Sequence, residues 1–153
     1  MRANKKYLFT AAAVTVLSLA SLTGCGNKAE KNEPSFKDGT YTKVAAEAEN
    51  GFTYEMTMKV ADGKITEINW DATDENGNSK KKLAMDGEYV MTENGPNWAE
   101  QSEALAQYVI DHQSLDGLTT TEDGKTDAVS GVSIKVNSFI EFVEDCMGQA
   151  SAK

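Results

Sequence analysis

One stretch in the first half of the chain alternates between apolar and polar residues with the period of two that is typical of a half-buried β-strand. Its apolar positions are Tyr54, Met56, Met58 and Val60. An Asp62-Gly63 pair follows, and the next apolar positions are Ile65, Ile68 and Trp70. Because Asp-Gly between two such runs is a hairpin signal, the pattern predicts two antiparallel strands joined by a tight turn. A first strand is expected around residues 40–46.

Further along, the apolar spacing changes to three and four residues, which indicates amphipathic helices. Asn97 can cap a helix whose apolar stripe consists of Trp98, Leu105, Tyr108, Val109 and His112. On that stripe, His112 is expected to be a buried structural residue near the helix dipole rather than a catalytic base. A final helix is expected over residues 134–147, after a short strand or extended segment over residues 126–129. This order predicts an α+β fold, with a small antiparallel sheet packed with helices.

Residues 71–82 separate the hairpin from the Asn97 helix and are rich in Asp, Asn and Gly, which predicts a solvated loop or wide turn. The segment ends in three consecutive lysines, Lys80, Lys81 and Lys82. They could neutralise an anionic ligand, but a charge run of this length favours a solvated face.

The N-terminus has the pattern of a bacterial lipoprotein signal. Arg2, Lys5 and Lys6 precede an apolar stretch over residues 7–22, which is short for a transmembrane span. Leu22-Thr23-Gly24-Cys25 then forms a lipobox, so we expect cleavage before Cys25 and lipidation of its thiol with a diacylglycerol that carries fatty acyl chains such as palmitate. The prediction is a signal peptide over residues 1–24, a lipidated Cys25 and flexible tether over residues 25–35, and one domain over residues 36–149.

Charge restricts how the mature chain can meet a membrane. The sequence has 15 basic and 24 acidic residues, and loss of three basic residues with the signal peptide changes the net charge from −9 to −12. An acidic surface is repelled by nucleic acid and by anionic lipid head groups. We therefore expect no nucleic-acid partner, and attachment through the lipid anchor to the extracytoplasmic face of the cell membrane.

The remaining cysteine and the single histidine argue against thiol and metal chemistry. Once Cys25 is lipidated, Cys146 has no partner for an intramolecular disulfide, and it neighbours the apolar stripe of the final helix. A packing role is expected for this thiol. One histidine is too few for a histidine-rich zinc site.

The chemistry is concentrated in the seven residues Asp127-Ala128-Val129-Ser130-Gly131-Val132-Ser133, directly before the final predicted helix. Backbone N–H groups at a helix N-terminus, together with serine hydroxyls, suit a phosphate group. Gly131 would let the backbone approach the phosphate closely, and Ser130 could donate a hydrogen bond or brace the turn. A purely structural alternative is that Asp127, Ser130 and Ser133 only form turn and capping interactions.

These seven residues are similar to the Asp-x-x-Ser/Thr-Gly-Ala-Thr/Ser signature of the FMN-binding domain family. That family includes the flavinylated subunits of sodium-pumping NADH:quinone reductases and Rnf complexes, and small extracellular electron-transfer lipoproteins. The resemblance extends to Asp38-Gly39-Thr40-Tyr41, to residues 61–65 and to Ser138-Phe139. The chain departs from the signature at Val132, where the family usually has alanine, and has serine at position 133, where threonine is commoner.

The resemblance implies a cofactor, a partner enzyme and an activity. A flavin transferase with FAD as donor would esterify the Ser133 hydroxyl to the FMN phosphate, with Asp127 orienting the loop or being recognised together with Mg²⁺. The chain would then carry electrons between a membrane quinone-linked or other flavin redox partner and a further partner or extracellular acceptor. It would be a flavin electron carrier more than a substrate-transforming enzyme.

The flavin ring needs a flat apolar or aromatic contact, for which Tyr89, Met91, Trp98 and Trp70 are candidates. Residues of these types at strand or helix spacing are more often core, and Trp98 already fits the helix stripe, so Tyr89 and Met91 are the predicted contacts. Val132 favours an alternative function, a non-flavinylated ligand-binding or surface-antigen lipoprotein on the same fold. A hydrolase is a weaker third hypothesis, because Ser133 has no plausible histidine base.

Overall fold

The computed structural model describes residues 36–91 and 93–151, which form an α+β fold as the sequence predicts. The elements in these ranges are β1 Gly39–Val44, β2 Phe52–Ala61, β3 Lys64–Asp74, α1 Lys80–Met85, α2 Trp98–His112 and α3 Asn137–Ala150. The strands form an antiparallel sheet in the order β1-β2-β3. The predicted signal peptide, Cys25 and the tether lie outside the described residues. Within them, the helices are all too short or too polar to cross a bilayer.

The β2–β3 hairpin follows the alternation in the sequence. Met56 is opposite Trp70 and Met58 is opposite Ile68, and all four side chains are buried. At the turn, Asp62 and Gly63 have φ values of 53° and 73°, the left-handed conformation that tight hairpin turns require. A register shift at Lys59/Val60 lies just before this turn. The hairpin therefore presents one apolar face to the helices.

Helix α2 begins with a capping box. The Asn97 side chain accepts a hydrogen bond from the Glu100 backbone N–H (3.0 Å), and the Glu100 carboxylate accepts one from the Asn97 N–H (2.7 Å). These reciprocal bonds satisfy backbone donors that the first turn of a helix leaves unpaired. Leu105 and Val109 are then fully buried on the predicted stripe.

At the other end of α2, the expectation that His112 is buried is wrong. His112 is exposed; its Nδ1 lies 2.7 Å from the Tyr108 carbonyl oxygen, and its ring stacks on Tyr108. The adjacent Gln113 contacts the sheet instead, with its side chain bonded to the backbone N–H (2.7 Å) and carbonyl (2.9 Å) of Ile65. The stripe thus stops contributing to the core one turn before the helix ends.

The segment before α3 also differs from the prediction. Residues 126–129 form no strand, because their hydrogen bonds are local: the Ala128 N–H donates to the Thr126 hydroxyl and the Val132 N–H donates to the Val129 carbonyl. Helix α3 begins at Asn137, three residues later than expected.

Helix α3 packs on β1 and β2 and completes the core. Phe139, Val143 and Cys146 on this helix are all fully buried. The packing role predicted for Cys146 is therefore confirmed, and burial raises the pKa of its thiol to about 11. At the end of the helix, Phe36 forms an isolated antiparallel bridge with Ser151, so the two ends of the described domain lie side by side.

Candidate functional site

The turn over residues 127–133, which we call the signature turn, is held by a buried glutamine from α2. The Gln101 side-chain oxygen accepts hydrogen bonds from the backbone N–H groups of Ser133 (2.7 Å) and Ile134 (3.1 Å) and lies 3.4 Å from the Ser133 hydroxyl. Its amide nitrogen donates to the Pro96 carbonyl (2.8 Å), and only 1% of Gln101 is exposed. Gln101 therefore fixes the backbone at Ser133.

The expectation that Ser133 lies at the mouth of the final helix is wrong. Val136 is the N-terminal cap of α3, and its backbone N–H donates to the Gly124 carbonyl (2.8 Å). With the N–H groups of Ser133 and Ile134 bonded to Gln101, these donors are directed into the protein rather than outward. Ser133 as a residue is exposed, and its hydroxyl lies beside the Gln101 side-chain oxygen.

Gln101 was not among the residues that the sequence singled out. A signal for it was present, because Gln101 lies three residues after Trp98 and four before Leu105 on the apolar stripe of α2. A polar side chain at such a position must find hydrogen-bond partners inside the protein.

Ser133 lines a cavity of about 320 Å³, which we call the aromatic pocket. The predicted flavin contacts Tyr89 and Met91 line the same cavity, and so do the two other candidates, Trp70 and Trp98. Other residues that line it are Glu49, Asn50, Tyr54, Lys80, Ile134, Lys135 and Ser138. The structure thus brings the candidate attachment residue and all four candidate ring contacts to one cavity, although they are up to 63 positions apart in the chain.

The inner wall of the aromatic pocket is a cluster of rings. Trp70 stacks on Tyr54 with 5.5 Å between ring centroids and lies 5.1 Å from Trp98. Both tryptophans are almost completely buried, so they are core residues with an edge on the cavity, whereas Tyr89 and Met91 are more exposed. The Trp70 Nε1 atom is buried and has no hydrogen-bond partner among the described residues. An unpaired buried donor costs free energy unless an acceptor reaches it.

Lys80 is a charged residue that lines the same cavity, and at this position the prediction of a solvated lysine run is wrong, whereas Lys82 is exposed as predicted. Only 3% of Lys80 is exposed, and its ammonium donates a hydrogen bond to the Tyr54 hydroxyl (2.7 Å). The ammonium also lies 4.7 to 5.0 Å from the ring centroids of Phe52, Tyr54, Tyr89 and Trp98. Burial lowers the pKa of Lys80 to about 8, against the opposing effect of Glu49 and Asp71.

Local capping explains why Lys80 points inward. The Ser79 side chain accepts a hydrogen bond from the Lys82 N–H and caps the short helix α1, while the Asp71 carboxylate on β3 accepts from the Lys81 N–H (3.0 Å). With α1 anchored to β3 in this way, the Lys81 ammonium donates to the Asn69 side chain, and the exposed Lys82 ammonium pairs with Asp86. The Lys80 side chain is the one of the three that is directed toward the rings.

Of the signature turn, Ser133 lines the aromatic pocket, whereas residues 127–132 do not. Ser130 and Gly131 line a second depression of about 350 Å³ together with Pro96 and Gln101. Asp127 is exposed in the turn before them. Val132 is 9% exposed and belongs to the hydrophobic core, so the residue that departs from the family signature packs inward.

Comparison with known proteins adds relatives of this fold. No family model and no curated protein matches the chain. An NMR structure of a Clostridium thermocellum protein matches with a TM-score of 0.56 and 33% identity, covering 74% of this chain and 91% of that one. A crystal structure of a Clostridium perfringens protein matches with a TM-score of 0.55 and 26% identity, covering 75% of this chain and 88% of that one. At this identity and coverage, the chain belongs to the same family as the Clostridium thermocellum protein.

Proposed function

We propose that the chain is an extracytoplasmic lipoprotein, anchored to the cell membrane through Cys25, that binds FMN and carries electrons between membrane or extracellular redox partners. The observation that carries the proposal is the aromatic pocket, where Ser133 shares one cavity with Trp70, Tyr89, Met91 and Trp98. A hydroxyl beside apolar and aromatic walls provides an attachment point and flat contacts for one ligand.

The residues present suit the parts of FMN. The hydroxyl of Ser133, an exposed residue, would hold the phosphate, with the Lys135 side chain in the same cavity to offset its charge. Tyr89 and Met91 would contact the ring, and Trp70 and Trp98 also line the cavity. When bound, the flavin supplies reversible one- and two-electron transfer, while the protein supplies position, exclusion of water and local charge.

Attachment would be a phosphoryl-group transfer carried out by a flavin transferase with FAD as donor. The Ser133 oxygen would form the bond to the FMN phosphorus, the pyrophosphate bond of FAD would break, and AMP would leave. The hydroxyl proton would pass to a base on the transferase or to solvent. Asp127 is exposed beside the turn, where the transferase could recognise it together with Mg²⁺.

A second candidate function is a ligand-binding or surface-antigen lipoprotein without covalent flavin. The observation that favours it is the use of the Ser133 and Ile134 N–H groups by Gln101, which removes two donors from a phosphate at this turn. Such a protein would use the aromatic pocket for a flat ligand held without a covalent bond.

Intact mass separates the two functions. The full chain is expressed with a flavin transferase in a bacterium that processes lipoproteins, and is extracted with detergent beside the Ser133→Ala and Ser138→Ala variants. Ser138 provides the matched control, because it carries the other serine hydroxyl described on the aromatic pocket. We expect an added FMN moiety in the wild type and in Ser138→Ala, and none in Ser133→Ala. No mass gain in any of them, with no flavin released on denaturation, would favour the second function.

A further inference from the structure

Lys80 has an unusual environment for a lysine, since its ammonium is surrounded by rings from several parts of the fold. Phe52 and Tyr54 belong to β2, Trp98 begins α2, and Tyr89 lies in the segment between α1 and α2. Cation–π attraction and the Tyr54 hydroxyl offset part of the cost of burying the charge. Only one of the three ammonium donors is used by that hydroxyl.

We infer that Lys80 is a ligand-binding residue of the aromatic pocket, whose ammonium supplies the positive charge that pairs with negative charge on a bound flavin ring. This inference rests on the proposed function and goes beyond it, because it assigns a charge-setting role to a residue outside the signature. Lys80 and Ser133 line the same cavity, so one ligand can contact both.

The Lys80 ammonium forms no ion pair with a carboxylate among the described residues, so its charge is available to a ligand. Glu49 and Asp71 act on it only through space. With the pKa of Lys80 near 8, the ammonium is mostly protonated at pH 7. A buried cation without a bonded carboxylate is stabilised by an anionic partner.

The aromatic lining of the cavity is a second indication of the same ligand chemistry. Tyr54, Tyr89 and Trp98 line the cavity together with Lys80. An ammonium between aromatic faces is complementary to a planar ring that gains negative charge on reduction. Positive charge near the flavin ring favours its reduced form.

The reduction potential of the attached flavin tests this role. Wild type, Lys80→Met and Lys82→Met are loaded by the transferase as full chains in detergent, and each potential is measured at pH 7 by spectroelectrochemical titration. Lys82→Met is the matched control, because it removes the same charge from the same helix but from a surface pair with Asp86. Folding of each variant is checked by circular dichroism, and Lys80→Gln replaces Lys80→Met if the latter does not fold.

We expect removal of the Lys80 charge to reduce the equilibrium constant for flavin reduction at least tenfold, a shift of about 30 mV to more negative potential for a two-electron couple. Lys82→Met should stay within threefold of the wild type. If the equilibrium constants for flavin reduction in flavin-loaded wild type and Lys80→Met agree within threefold, the role of Lys80 is overturned and the proposed function stays intact. A wild-type chain that takes up no flavin would overturn the proposed function and this inference together.

Discussion

Replacing Lys80 by methionine should change how the stability of the protein without a bound ligand depends on pH. Two effects compete at this residue. Burial disfavours the ammonium, whereas the four surrounding rings and the Tyr54 hydroxyl favour it. Because the pKa of Lys80 is lowered to about 8 from its ordinary value of 10.5, desolvation is the stronger effect.

The sign and size of the pH dependence follow from that pKa. Between pH 8 and pH 10.5 the folded chain has lost the Lys80 proton while the unfolded chain keeps it, so the free energy of unfolding rises with pH. Linkage gives a cost of about 3 kcal/mol at pH 7 that falls to about 1 kcal/mol at pH 9.5. The wild type should therefore gain about 2 kcal/mol relative to Lys80→Met over this interval.

Urea unfolding at pH 7 and pH 9.5 measures the difference directly. The interval ends below the range in which the buried Tyr54 hydroxyl, with its pKa raised to about 12, makes a large contribution. Lys82→Met serves as the control, because the bond to Asp86 raises the pKa of Lys82 and keeps it protonated throughout. A wild-type minus Lys80→Met difference that stays constant or falls with pH would refute the reasoning, since the rings would then fully offset desolvation.

Three further changes test other parts of the structure. Gln101→Met keeps the side-chain volume but removes the acceptor for the Ser133 and Ile134 N–H groups, and should lower the free energy of unfolding by about 2 kcal/mol in urea; an unchanged midpoint would contradict this. Cys146 is buried with a pKa raised to about 11, so iodoacetamide at pH 8 should label it only after denaturation. Cys25→Ala should release the chain from membranes, and fractionation with membranes after a high-salt wash would rule out the lipid anchor.

The parts of the fold that the sequence predicts correctly depend on local signals. The β2–β3 hairpin follows from alternation on both sides of Asp62-Gly63, and the start of α2 follows from Asn97 and Glu100 three residues apart. Each signal involves residues within a few positions of one another, so it can be recognised without knowledge of the tertiary structure.

The errors occur where distant residues decide the outcome. Lys80 belongs to a run that composition assigns to solvent, but rings from β2 and α2 surround its ammonium. Ser133 precedes apolar residues with helical spacing, yet Gln101, 32 positions earlier, bonds the backbone of the turn and α3 begins later. Local spacing carries no information about these partners, although a polar residue on the stripe of α2 was a visible signal.

The bridge between Phe36 and Ser151 has a consequence for how this domain can be joined to other chains. Because the domain begins and ends at one place, a short linker between residues 151 and 36 would close the chain into a ring without disturbing the sheet. New termini could then be opened in an exposed loop such as residues 75–78. The same geometry lets copies of the domain follow one another in a single polypeptide, or lets one copy be inserted into the loop of an unrelated host.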